Sequence, residues 1–118
     1  MIAVIFEVWP APGRKDDYLA IAGSLRDDLA RIDGFISVER FQSLTDPDKL
    51  LSLSFWRDEG AVKQWRTQDR HRAGQAQGRA GIFADYRLRV AGVLRDYGLN
   101  DRAAVPADSK AVHDTQAV

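Results

Sequence analysis

The chain of 118 residues contains no cysteine, which excludes a disulfide framework, an iron–sulfur cluster and a thiolate zinc site. It has two histidines, His71 and His113, too few for a transition-metal site built from protein ligands alone, whereas a bound haem or organic cofactor stays open. Neither sign of charge is in excess. Seventeen basic side chains balance 17 acidic ones, leaving no electrostatic footprint for nucleic acid or an anionic membrane. Long apolar runs are missing too. Met1 to Pro10 has no basic lead and is cut by Glu7, and nothing later approaches the roughly 20 apolar residues that cross a bilayer. The expectation is a soluble cytoplasmic protein with no nucleic-acid and no membrane partner.

What remains is ordinary globular composition, 45% hydrophobic and 29% charged, on a length that suits one domain. From Leu99 onward the apolar residues are mostly Ala and Val, with no aromatic and no lasting period. That stretch buries too little to offset about 1 to 2 kcal/mol of backbone ordering entropy per residue. Residues 1–98 are therefore expected to form the domain, and 99–118 a tail that is flexible or clasps a dimer partner.

Hydrophobic periodicity within the domain switches between two and 3.6. Ile2 to Trp9 reads as a strand ended by Pro10, Pro12 and Gly13. Tyr18, Ala22, Leu25, Leu29 and Ile32 make one stripe of a long helix that Asp33-Gly34 stops. Phe35 to Phe41 and Lys49 to Trp56 form a hairpin around Thr45-Asp46-Pro47-Asp48. Asp58 caps a second helix carrying Ala61, Val62 and Trp65 on one face and reaching to about Ala80, and Phe83 to Tyr97 returns to strand. The order βαββαβ predicts an α+β, ferredoxin-like fold with a four-stranded antiparallel sheet and both helices on one face. Strands three and four carry apolar residues on both parities, so the open face is expected to pack against the same face of a second copy, or else under the tail.

At this point the residues carry a likeness. LLSLSFWRDEGAVKQWRTQDRHRAGQAQGR followed by FADYRLRVAGVLRDYG, with its W-x5-H spacing and terminal Tyr-Arg-x-Arg-Val strand, resembles the antibiotic biosynthesis monooxygenase family. The resemblance implies a dimeric α+β barrel with a pocket in each subunit between sheet and second helix. It also implies oxygen chemistry on a phenol, quinol or polyketide-like aromatic without metal or flavin. Such chemistry needs a base, a donor to the substrate anion and an aromatic pocket that excludes water.

His71, with an ordinary pKa near 6.5, is the leading base, against the reading of a surface histidine in Asp69-Arg70-His71-Arg72. Trp65 resembles the family tryptophan that faces substrate, against plain core packing. Glu7 is an acid or base if it points into the barrel, and otherwise pairs with an arginine across strands. Phe6 shares the end of strand one with it. Arg87 and Arg89 share a face of strand four, where they hold an anionic substrate oxygen or pair with Glu39. Arg66, Arg70, Arg72 and Arg79 read as a solvated helical face. Haem-degrading relatives place their iron-ligating histidine ten residues after the tryptophan, where this chain has Gln75, and the polyketide oxygenases' asparagine is Ala61 here. A non-catalytic binding barrel is the alternative to the monooxygenase, and a haem protein the third reading.

Overall fold

The computed structural model describes residues 1–68, 76 and 81–113. Strand β1 (Ile2–Pro10) leads into helices α1 (Lys15–Ser24) and α2 (Arg26–Ala30). The hairpin β2 (Phe35–Gln42) and β3 (Leu50–Trp56) follows, then α3 (Glu59–Arg66), β4 (Phe83–Gly92) and a tail helix α4 (Ala107–His113). The strands form one sheet in the order β2-β3-β1-β4 with every neighbouring pair antiparallel, the ferredoxin-like arrangement expected. No described helix is long and apolar enough to cross a membrane.

Three boundaries differ from the sequence reading. The first helix is two helices: Gly23 and Ser24 are weak helix formers, Ser24 Oγ donates to the Ile21 carbonyl at 2.7 Å, and the Leu25 N–H turns to the Ala22 carbonyl. Strand four ends at Gly92 rather than Tyr97, since β1, its one partner among the described residues, begins at Ile2 opposite Gly92. The tail contains α4, which begins just after Pro106, and the Lys110 N–H bonds the Pro106 carbonyl at 2.9 Å. The described part of the second helix stops at Arg66, and its expected continuation toward Ala80 lies almost wholly outside the described residues.

Register assigns the two sheet faces. Val4, Phe6 and Val8 of β1 stand level with Ser54, Ser52 and Leu50 of β3 and with Val90, Leu88 and Tyr86 of β4. This is the face on which α1, α2 and α3 pack, although Tyr86, Leu88 and Val90 of β4 stay about half exposed there, and two clusters form under the helices. Val8, Tyr18, Ala22, Leu50 and Ile82 make one; Leu29, Ile32, Trp56, Ala61 and Val62 make the other. Trp56, 1% exposed, anchors the second and donates its indole N–H to Ser54 Oγ at 2.9 Å.

The opposite face carries Ile5, Glu7, Leu51, Leu53, Phe55 and Phe41. Its apolar zone comes from β1, β2 and β3. On β4 this parity is polar, Asp85, Arg87 and Arg89, because a register shift at Trp9/Pro10 puts Phe83 with the helix side and Val93 falls beyond the strand.

Candidate active site

Between the two clusters the core does not close. Ser52 and Ser54 occupy the sheet positions where larger side chains would meet the helices, and above them lies a cavity of about 410 Å³. Phe6, Tyr18, Phe83 and Tyr86 wall one end in edge-on and tilted contacts with ring centroids 5.6 to 6.5 Å apart. Leu29, Trp56, Val62 and Trp65 wall the other. Trp65 reaches it because Asp58 fixes the start of α3: its carboxylate accepts the Ala61 N–H at 2.9 Å, which with Arg57 holds the Asp58 pKa below the usual carboxylate value. Ala61 and Val62 then bury, and Trp65, one turn on, lies over the cavity.

Polar groups in this chamber are few. Tyr18 sits in α1, buried, and burial pushes its phenol pKa upward against the opposing pull of a hydrogen bond and charge from Arg40. Tyr18 is thus a neutral hydroxyl at physiological pH, able to donate to a ligand oxygen. Arg40 reaches the cavity from β2, level with Ser52. The described residues present a chamber with apolar walls, hydroxyl donors on its floor and one interior cation. Such a chamber can hold and orient a small oxygenated apolar molecule.

The expected site residues divide between the two faces. Phe6 and Trp65 line the cavity. Glu7, Arg87 and Arg89 lie on the opposite face, where Glu7 accepts Lys49 Nζ at 2.8 Å and Arg89 Nη1 at 2.7 Å. Hydrogen bonding from Lys49, then from Arg89, lowers the Glu7 pKa despite partial desolvation. Arg89 pairs with Glu7 and not Glu39 because β4 neighbours β1, whereas Glu39 stands on β2 at the far edge. Arg66 is on the cavity rim. His71, Gln75, Arg70, Arg72 and Arg79 lie outside the described residues. Tyr18, Arg40, Ser52 and Ser54 were missed as site residues. Their signal is the run LSLSFW, whose serines alternate with large apolar residues and share a parity with Trp56 and, across the hairpin, with Arg40. Among the described residues no three His, Cys, Asp or Glu side chains gather as a metal site needs.

Comparison with known proteins places this fold. The solved structures of Rv0793 from Mycobacterium tuberculosis (TM-score 0.74, 18% identity, covering 82% of this chain and 98% of that one) and of a Deinococcus radiodurans protein (TM-score 0.75, 10% identity, covering 84% and 98%) share the fold. A curated relative from Pyricularia oryzae, named jasmonate monooxygenase ABM, is 47% identical over 119 aligned residues. That alignment takes in all of this chain, which spans about half (55%) of the relative's length. The sequence model described as antibiotic biosynthesis monooxygenase matches residues 1–77, which include β1 to α3 and hence most of the cavity wall. On fold, matched span and identity together, the chain belongs to the antibiotic biosynthesis monooxygenase family.

Proposed function

We propose that this chain is a monooxygenase that oxidises a small electron-rich aromatic, a phenol, quinol or polyketide-like ring, within the helix-side cavity, and that it works as a homodimer joined through the open sheet face. The observation that carries the reading is the aromatic-walled chamber of about 410 Å³ with hydroxyl groups on its floor, on the fold of a monooxygenase family. The chemistry balances without an outside reductant: a phenol and one O2 give a quinone and one water, the ring supplying the electrons. Its demands are a base for the phenol proton, donors to the oxygen that becomes anionic, and exclusion of bulk water. Tyr18, Ser52 and Ser54 are the donors in this reading, the rings exclude water, and His71 is the base. For the homodimer, the support is the part-exposed apolar zone of Ile5, Leu51, Leu53 and Phe55 together with Phe41.

An oxygen electrode coupled to mass spectrometry tests this. The purified chain with a naphthol should consume one O2 per quinone formed, with one oxygen atom of O2 in the quinone and the other in water, and His71→Ala should slow turnover about 100-fold, the scale of a lost general base. Absence of oxygen uptake with every electron-rich ring tried would overturn the aromatic reading; unchanged turnover in the variant would remove His71 from it.

The 47% identity to a protein named for jasmonate favours a second reading, an alicyclic keto acid as substrate. Converting an aliphatic C–H to an alcohol consumes O2, two electrons and two protons and releases water. That arm of the assay therefore carries a reductant of the NADPH class, and a product 16 mass units heavier would decide for it.

A further inference from the structure

We propose that Arg40 is a carboxylate anchor, and that the cavity binds an amphipathic organic acid with its carboxylate on the Arg40 guanidinium and its apolar body among the aromatic rings. This deepens the monooxygenase reading and rests on it for what happens to the acid once bound.

Arg40 differs from the ion-paired cations of the described chain. Arg57 has Asp33 and Asp58, Arg14 has Asp17, and Lys49 and Arg89 share Glu7. No carboxylate among the described residues pairs with Arg40. It acts on the Tyr18 phenol, and its Nε is buried without a hydrogen-bond partner among the described residues. A guanidinium in an apolar chamber with a donor unspent is a costly arrangement unless an acceptor arrives.

Charge around the chamber points the same way. Its described lining contains Arg40 and Arg66 and neither Asp nor Glu, although the chain as a whole is neutral. The cavity is thus a local positive site in a protein with no overall bias, and it attracts anions small and apolar enough to enter. The planar fork of an arginine matches a carboxylate in two parallel N–H···O bonds. The surrounding donors suit the same ligand. Tyr18, whose phenol feels the Arg40 charge, and Ser52, level with Arg40 on the neighbouring strand, are the hydroxyls beside it that can donate to a bound oxygen.

Matched acid and ester pairs test the proposal on the full chain: jasmonic acid against its methyl ester, and 2-naphthoic acid against its methyl ester, titrated calorimetrically at pH 7. Each acid should bind at least tenfold more tightly than its ester. Arg40→Gln should bring acid affinity down to that of the ester, so that the tenfold preference disappears. Equal affinity of acid and ester in the unmodified chain overturns the anchor, and so does an Arg40→Gln protein that is folded and binds acid as before. Should Arg40→Gln fail to fold, the ratio in the unmodified chain decides alone. The two readings separate cleanly. An acid bound tightly but never oxidised removes the monooxygenase and keeps the anchor, whereas esters oxidised as readily as acids, with no preference in binding, remove the anchor and keep the monooxygenase.

Discussion

Glu7 shows how much a single residue depends on its register. In the sequence it is the one charge in an apolar strand, and β1 is apolar on both parities, Ala3 and Ile5 on one and Val4, Phe6 and Val8 on the other. No periodicity says which side it takes. Pairing does: Glu7 stands opposite Leu51 and Arg87 on the face turned from the helices, with Lys49 and Arg89 as its partners. Its carboxyl pKa is depressed in the folded chain, so the stabilisation it contributes is present above its ordinary value of 4.5 and is lost as pH falls through the lower, folded value. Comparing urea midpoints of the unmodified chain and Glu7→Gln should show a gap at pH 7 that narrows steadily below pH 5. A gap constant from pH 7 to pH 3 would mean that the ion pairs contribute nothing. The same difficulty hid the polar floor of the cavity. Ser52 and Ser54 look like ordinary strand serines until Trp56 on their parity is found buried, and nothing along β2 marks Arg40 as inward until β2 is paired with β3.

Elements were far more legible, because period and punctuation act locally. The β1 strand, the hairpin with its Asp-Pro-Asp turn and the Asp58 cap all stand where residue patterns place them. What failed was continuity. The stripe from Tyr18 to Ile32 keeps its phase across Leu25, so spacing alone reads one helix, while the break comes where Ser24 Oγ bonds the Ile21 carbonyl. The junction after α2 is a tight joint between elements. Gly34 has a φ of +94°, and a Cβ there would meet the Ala61 Cβ of α3 at 2.8 Å. Its carbonyl accepts the Arg57 N–H at 2.7 Å, tying the entry of β2 to the exit of β3. Gly34→Ala is expected to cost about 1 to 3 kcal/mol from the backbone conformation alone, with crowding against α3 added. Chemical denaturation measures this, and a loss below about 0.5 kcal/mol would show that α3 moves aside freely.

At the scale of the molecule the chain is longer than a compact unit. Its radius of gyration is 17.5 Å, against about 13.5 Å for a compact chain of this length, and it measures 55 × 35 × 20 Å. Leu94 and Leu99, 89% and 90% exposed, lie on the segment leaving β4. These facts support an arm that reaches a second copy, alongside the apolar zone of the open sheet face. Leu53, central on that face between Ile5 and Glu39, is the position to test. Leu53→Asp should weaken self-association at least 30-fold, the scale of a central interface residue worth about 2 kcal/mol or more, while circular dichroism stays that of the folded chain. Sedimentation velocity reads the outcome, and an unmodified chain that sediments as a monomer at 100 µM would remove the dimer altogether. Here the sequence was silent on shape, since a tail's direction depends on what it meets.

The paired serines on the cavity floor carry one more consequence. Because they leave the two apolar clusters joined through the sheet rather than through each other, whatever fills the gap becomes part of the core. Thermal stability should therefore report occupancy: each tenfold rise in ligand concentration above its dissociation constant adds about 1.4 kcal/mol to folding. The melting curve thus becomes a means of finding the natural ligand before any reaction is observed.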